Sequence, residues 1–92
     1  MYLLTSKFPL GQTVITANAQ GRLHPEDTLI AMTRHANGDW GDICSTDQRE
    51  NNCGLKQGYR LLSAYHDRNG VKFWIITEAD RSVTTILLPE DY

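Results

Sequence analysis

The chain lacks three things that would place it in a special class: long apolar runs, a basic surplus and a high cysteine content. No stretch approaches the roughly 18–20 apolar residues that a membrane-spanning helix needs, so no membrane association is expected. The opening, Met1-Tyr2-Leu3-Leu4-Thr5-Ser6-Lys7-Phe8, has no basic region leading into an apolar one, which argues against a signal peptide and for a cytoplasmic location. Nine Lys and Arg stand against 11 Asp and Glu, a net charge of -2. Dedicated nucleic-acid binders neutralise phosphates with a clear basic excess, so nucleic acid is not favoured as a partner. There are only two cysteines, Cys44 and Cys53, and they form no CxxC pair. The expectation is therefore free, packed thiols rather than a disulfide, a zinc knuckle or a redox couple. His24, His35 and His66 fit no metal-ligand spacing, and no nucleophile elbow surrounds Ser63. No metal, cofactor or catalytic residue is expected, and the reading leans away from an enzyme.

What is present suffices for a folded domain. Hydrophobic residues make up 40% of the 92 and charged residues 22%, enough for a core and too balanced for disorder. A chain of this length forms one domain, spanning 1–92. Thr13-Val14-Ile15-Thr16 reads as a strand, and Asn18-Ala19-Gln20-Gly21 as a turn. His24-Pro25-Glu26-Asp27 opens a helix, with proline at its first position and acids at the positive end of the dipole. Leu29, Met32 and Ala36, with Ile30 beside them, supply its apolar stripe, and Asn37-Gly38 ends it. Trp40 and Ile43 anchor a tight loop in the core. Ser45 and Gln48 read as a capping box for a polar surface helix over Thr46 to Gln57, whose thin apolar edge is Cys53 and Leu55 and which Gly58 stops.

The last third reads as a three-stranded antiparallel meander. Tyr59 to His66, Val71 to Glu78 and Val83 to Leu88 are β-prone, with Asn69-Gly70 and Ala79-Asp80-Arg81-Ser82 between them. The fold class is therefore α+β, with one or two helices packed on a small antiparallel sheet, the C-terminal meander and an N-terminal strand. A two-residue turn at Asn69-Gly70 pairs Tyr65 with Trp74, and one at Asp80-Arg81 pairs Ile76 with Thr85. Alternation then puts Leu62, Ala64, His66, Phe73, Ile75, Thr77, Thr84 and Ile86 under the helices, and sets Ser63, Tyr65, Trp74, Glu78 and Thr85 on the other face. A one-residue slip would swap a strand's faces.

That second face is the first candidate binding surface: Ser63, Tyr65, Trp74, Glu78 and Thr85, with Arg81 at the adjoining turn. The plainer alternative is a face covered by the N-terminal strand or by a second copy. Glu78, Asp80 and Arg81 offer a base beside an arginine, or simply a solvated hairpin tip. Gly38-Asp39-Trp40-Gly41-Asp42 reads as a structural loop, since two aspartates would repel a phosphate.

Gly38-Asp39-Trp40-Gly41-Asp42, Arg60-Leu61-Leu62-Ser63-Ala64-Tyr65 and the block from Trp74 to Tyr92 resemble a family of small uncharacterised bacterial proteins carried on plasmids, phages and other mobile elements. The resemblance runs from about Leu10 onward and is most specific in the C-terminal block. It implies an accessory role and brings no catalytic residues. A looser, fold-level likeness is to the RelE and barnase type of ribonuclease. Arg60, Arg68, Arg81, His66 and Glu78 would then be the candidate groups, although His66 and Glu78 fall on opposite faces of the expected hairpin. The leading expectation is a non-enzymatic module that binds a macromolecule as inhibitor or regulator. A small ribonuclease toxin and a structural homodimer are the alternatives. The partner is expected to be a protein, or a second copy of the chain.

Overall fold

The computed structural model describes residues 6–92. The start of the signal-peptide reading, Met1 to Thr5, lies outside them. The elements are β1 (Gln12–Ile15), α1 (Ala17–Arg22), α2 (Pro25–Ala36), α3 (Ser45–Gln57), β2 (Leu61–His66), β3 (Lys72–Thr77), β4 (Val83–Leu87) and a terminal 3-10 turn over Pro89–Asp91. The strands form one sheet in the order β1-β4-β3-β2. The C-terminal meander is antiparallel, as expected, while β1 joins it parallel to β4 and makes the sheet mixed.

The helices follow their end signals closely. α2 has Pro25 in its first turn, Glu26 and Asp27 at its positive end, and Arg34 and His35 in its last turn. The Nδ1 of His24 caps it by accepting from the Glu26 N–H at 3.3 Å. α3 ends at Gly58, which takes the left-handed φ of 79° that a C-terminal cap requires. Its start corrects the expected capping box. Cys44 is the cap residue and makes no side-chain cap bond, while the Gln48 amide donates to the Ile43 carbonyl instead. The expected turn at 18–21 is helix α1, because the Thr16 hydroxyl accepts from the Ala19 N–H and starts a helix that Gly21 does not interrupt.

α1 and α2 cover one face of the sheet. The main core joins Ala19 and Leu23 of α1 and Ala31 and Met32 of α2 to Tyr65, Phe73, Ile75, Ile86 and Leu88. The inward stripe of α2 is Ala31, Met32, His35 and Ala36, so Leu29 and Ile30 point outward, 66% and 57% exposed. A second cluster gathers Phe8, Trp40 and Leu61, with Leu10, Ile43 and Leu55 against it. Trp40 and Ile43 thus anchor their loop as expected. That loop also lies along β2: the Asp42 N–H donates to the Ala64 carbonyl and the Ala64 N–H to the Trp40 carbonyl. Gly41 has a φ of 73°, and a Cβ there would sit 2.1 Å from the Ala64 oxygen, so the close approach requires glycine. Both cysteines are free but exposed rather than packed. Cys53 leaves the inner edge of α3 to Asn51, Gly54 and Leu55.

The register of β2 differs from expectation by one residue. His66 pairs with Lys72 and Tyr65 with Phe73, which leaves Asp67 to Val71 between the strands. Only Gly70 takes a positive φ there, so the loop is not the type I′ turn that Asn-Gly usually signals. The cause is Asp67. Its carboxylate accepts from the N–H groups of Asn69, Val71 and His24 at 2.9, 2.9 and 3.2 Å, which organises a longer loop and ties it to the start of α2. The slip puts Leu61, Ser63 and Tyr65 on the side under α1 and α2, and Leu62, Ala64 and His66 on the opposite side, where Ala64 is still buried. The second turn keeps the expected register, with Ile76 opposite Thr85.

Candidate functional site

The slip divides the expected binding surface between the two sides of the sheet. Ser63 and Tyr65 are buried under the helices, whereas Trp74 and Thr85 remain half-buried on the opposite face. Tyr65 is a core residue. Its Oη donates to the Asp39 carbonyl at 2.7 Å, Arg34 lies over its ring, and burial pushes its phenol up to about 12. Arg81 is a strap rather than a solvated tip. Its guanidinium donates to the carbonyls of Gly54, Tyr59 and Glu78, holding the end of α3 to the hairpin. Those bonds accompany a backbone φ of 62°, which a non-glycine residue seldom adopts. Glu78 directly follows β3, while His66 pairs with the first residue of that strand. Six residues of strand put the two about 20 Å apart, so they share no acid–base site.

Ser63 instead belongs to a buried chain of hydroxyls around His35. Thr84 donates to the Leu10 carbonyl at 2.7 Å. With its proton so used, Thr84 must accept from Thr77 at 2.8 Å, and Thr77 in turn must accept from the Nε2 of His35 at 2.8 Å. The imidazole therefore carries its proton on Nε2, and its Nδ1 accepts from the Ser63 hydroxyl. Phe8 and Trp40 pack on the ring edge-on, and burial lowers its pKa from 6.5 to about 4, assisted by the positive field of Arg81. A serine bonded to a histidine that a third group orients is the arrangement of an activated nucleophile. Here Ser63, His35, Thr77 and Thr84 are each 0% exposed, so no substrate reaches the hydroxyl. The network joins α2 to the sheet. Its sequence signal was a histidine at the inward positions of α2, four residues after Ala31.

The open side of the molecule offers a different arrangement. Between α3 and β2 runs a groove of ≈ 480 Å³ lined by Asp47, Glu50, Asn51, Cys53, Tyr59, Arg60 and Leu62. Asn51 is already satisfied, donating to the Leu62 carbonyl at 2.7 Å and accepting from its N–H at 3.2 Å, which fixes α3 along the strand. At the Arg60 end, the guanidinium donates to the Tyr92 hydroxyl at 2.7 Å and lies over its ring. Tyr92 meets Trp74 edge-on with ring centroids 5.8 Å apart. Arg60, Tyr92 and Trp74 thus touch in turn, and Tyr59, next to Arg60 in the chain, lines the groove with it; the four make an aromatic and cationic ridge beside the groove. Of the residues expected in a binding site, Trp74 alone belongs to it. Tyr59 and Tyr92 are 57% and 71% exposed.

A smaller cleft of ≈ 190 Å³ lies where α2 meets the β2–β3 loop. Its polar groups are already partnered: Arg34 pairs with Asp39, Arg68 with Asp27 and Glu26, the His66 Nδ1 lies 2.9 Å from the Asp42 carboxylate, and Asp67 accepts from backbone N–H groups. Arg68 holds the Asp27 carboxyl down to about 2. Among the described residues no group of three or more His, Cys, Asp or Glu is placed to hold a metal ion, and no helix is long and apolar enough to cross a membrane. The chain matches no protein-family model, no curated protein and no solved structure.

Proposed function

We propose that this chain is a non-enzymatic protein-binding module, an accessory factor of the mobile-element kind its sequence resembles, and that it binds through the ridge of Tyr59, Arg60, Trp74 and Tyr92. One observation carries this reading: among the described residues the two exposed tyrosines and a half-buried tryptophan gather about Arg60, and Tyr59 and Arg60 line the groove between α3 and β2. Tyr, Trp and Arg are the residue types that dominate binding energy at protein interfaces. The net charge of -2 supports a protein partner over a nucleic acid. The sealing of the one serine–histidine pair supports binding over hydrolysis.

Capture from a nuclease-treated lysate of its own host tests the reading. Tagged wild type is expected to retain one partner in stoichiometric amount, and Tyr59→Ala/Tyr92→Ala to lose it while giving the same circular dichroism spectrum. Both positions are exposed, so the double variant keeps its core. Tyr65→Ala, by contrast, would empty a core site and report only on folding. Equal capture by the folded double variant rejects the ridge. Retention only of untagged copies of the chain would make it a homodimer surface, and retention only without nuclease would point to RNA.

A further inference from the structure

We infer that the groove beside the ridge accepts an arginine or lysine side chain presented by the partner protein, an inference that rests on the binding-module reading above. Asp47 and Glu50 stand three residues apart on α3, so they share one side of the helix and both line the groove. Neither forms an ion pair among the described residues, whereas Glu26, Asp27, Asp39 and Glu90 are each paired with an arginine. Arg60 lines the same groove but pairs with neither: its guanidinium donates to the Tyr92 hydroxyl and lies over that ring. The floor between these charges is different in kind. Leu62 is half-buried, Asn51 has spent its amide on the Leu62 backbone, and the Tyr59 ring stands open beside them. The volume of ≈ 480 Å³ falls within the roughly 300–1,000 Å³ of ordinary ligand pockets.

An apolar floor under a negative rim asks for an occupant with an aliphatic stem and a positive head. Arg and Lys side chains have that form, laying their methylenes on apolar surface while the charge reaches outward. The Tyr59 ring adds a face on which a cation can rest. A phosphate or nucleic-acid backbone would meet two carboxylates against the one guanidinium of Arg60, a lining of net negative charge. A neutral apolar side chain would satisfy the floor and leave the rim without a counter-charge.

The test titrates isotope-labelled protein with N-acetyl-arginine methylamide and with its uncharged isostere, N-acetyl-citrulline methylamide, and follows amide resonances. The arginine compound is expected to give saturable shifts confined to 47–53 and 59–62, and citrulline to bind much more weakly. Asp47→Asn/Glu50→Gln should raise the Kd for arginine about three- to tenfold, the size that two exposed charge contacts supply. Cys53 lines the groove and Cys44 does not, and both are exposed. Bound arginine should therefore slow alkylation of Cys53 and leave Cys44 unchanged. Equal binding of citrulline, shifts elsewhere, or the absence of any saturable shift overturns the inference. Partner capture separates this failure from that of the parent reading. Capture kept by Asp47→Asn/Glu50→Gln but lost by Tyr59→Ala/Tyr92→Ala removes the cation and leaves the ridge; capture kept by both removes both.

Discussion

The His35 network and the groove between α3 and β2 are built from similar materials and come to opposite ends. Each joins a helix to the sheet, and each combines polar groups with aromatic rings. In the network every hydrogen-bonding atom is used: Ser63 on Nδ1, Thr77 on Nε2, Thr84 on Thr77, and Leu10 closing the chain. The side chains of His35, Ser63, Thr77 and Thr84 are all closed to solvent. In the groove the polar group that fixes the architecture, Asn51, is satisfied, while the carboxylates and the Tyr59 ring on the walls remain open. The contrast separates polar groups that specify a fold from those that can recognise something else. Residue type does not decide this, since a serine–histidine pair is catalytic on many scaffolds. What decides it is whether the groups still have bonding capacity where another molecule can reach them.

The most damaging substitution lies in the network. His35→Ala removes a fully buried ring and leaves the Ser63 and Thr77 hydroxyls without their partner. Cavity and unpaired polar group together should cost about 3–5 kcal/mol, a large share of what a domain this small possesses. Urea unfolding measures it. If the variant fails to fold, Thr77→Val is the milder change, expected to cost about 1–3 kcal/mol by orphaning the Nε2 proton. A variant with an unchanged midpoint, or wild type labelled at Ser63 by a fluorophosphonate, would mean that the network is neither structural nor sealed.

A second effect comes from pH. In the unfolded chain His35 takes up a proton near 6.5, and in the folded protein only near 4. The unfolded state therefore binds more protons between those values, and stability must fall as pH falls through that window. The contribution is fully present above about 6.5 and is lost by about 4, a total of about 3 kcal/mol. Urea midpoints at pH 7 and pH 4.5 should differ accordingly, and the difference should shrink in His35→Leu if that variant folds. Equal midpoints in the wild type would show that the ring is protonated without cost and hence is not enclosed.

How much of this was legible in the sequence follows the distance over which each signal acts. The bounds of α2 and the end of α3 were readable, because Pro25, Glu26, Asp27 and Gly58 act within one turn of their own helix. The meander was readable from alternating β-prone segments and their turns. The β2 register was not, because Asp67 is set by His24, 43 residues away, as much as by its own loop. That single slip exchanged Ser63 and Tyr65 for Leu62 and His66, and so divided the expected site. The groove had no local signal at all. Asp47 and Glu50 lie on α3 and Tyr59 and Arg60 precede β2, so they meet through tertiary contacts, with Asn51 and Arg81 fastening the helix to the strand and hairpin. Trp74 was visible as an anchor because an aromatic on a strand carries its own signal.

On the open wall of the groove a substitution should do far less to the fold. Tyr59→Ala removes a ring that is 57% exposed, and exposed substitutions away from caps and core usually change stability little. The midpoint in urea should move by less than about 1 kcal/mol, within the reach of a careful denaturation series. An aromatic whose truncation costs so little contributes little to the fold, although a large apolar ring facing water gains nothing by its position. Taken with lost capture, an unchanged midpoint assigns the ring to the interface. A loss as large as that of Thr77→Val would instead place Tyr59 with the groups that hold α3 to the sheet, and the groove would then be a by-product of packing.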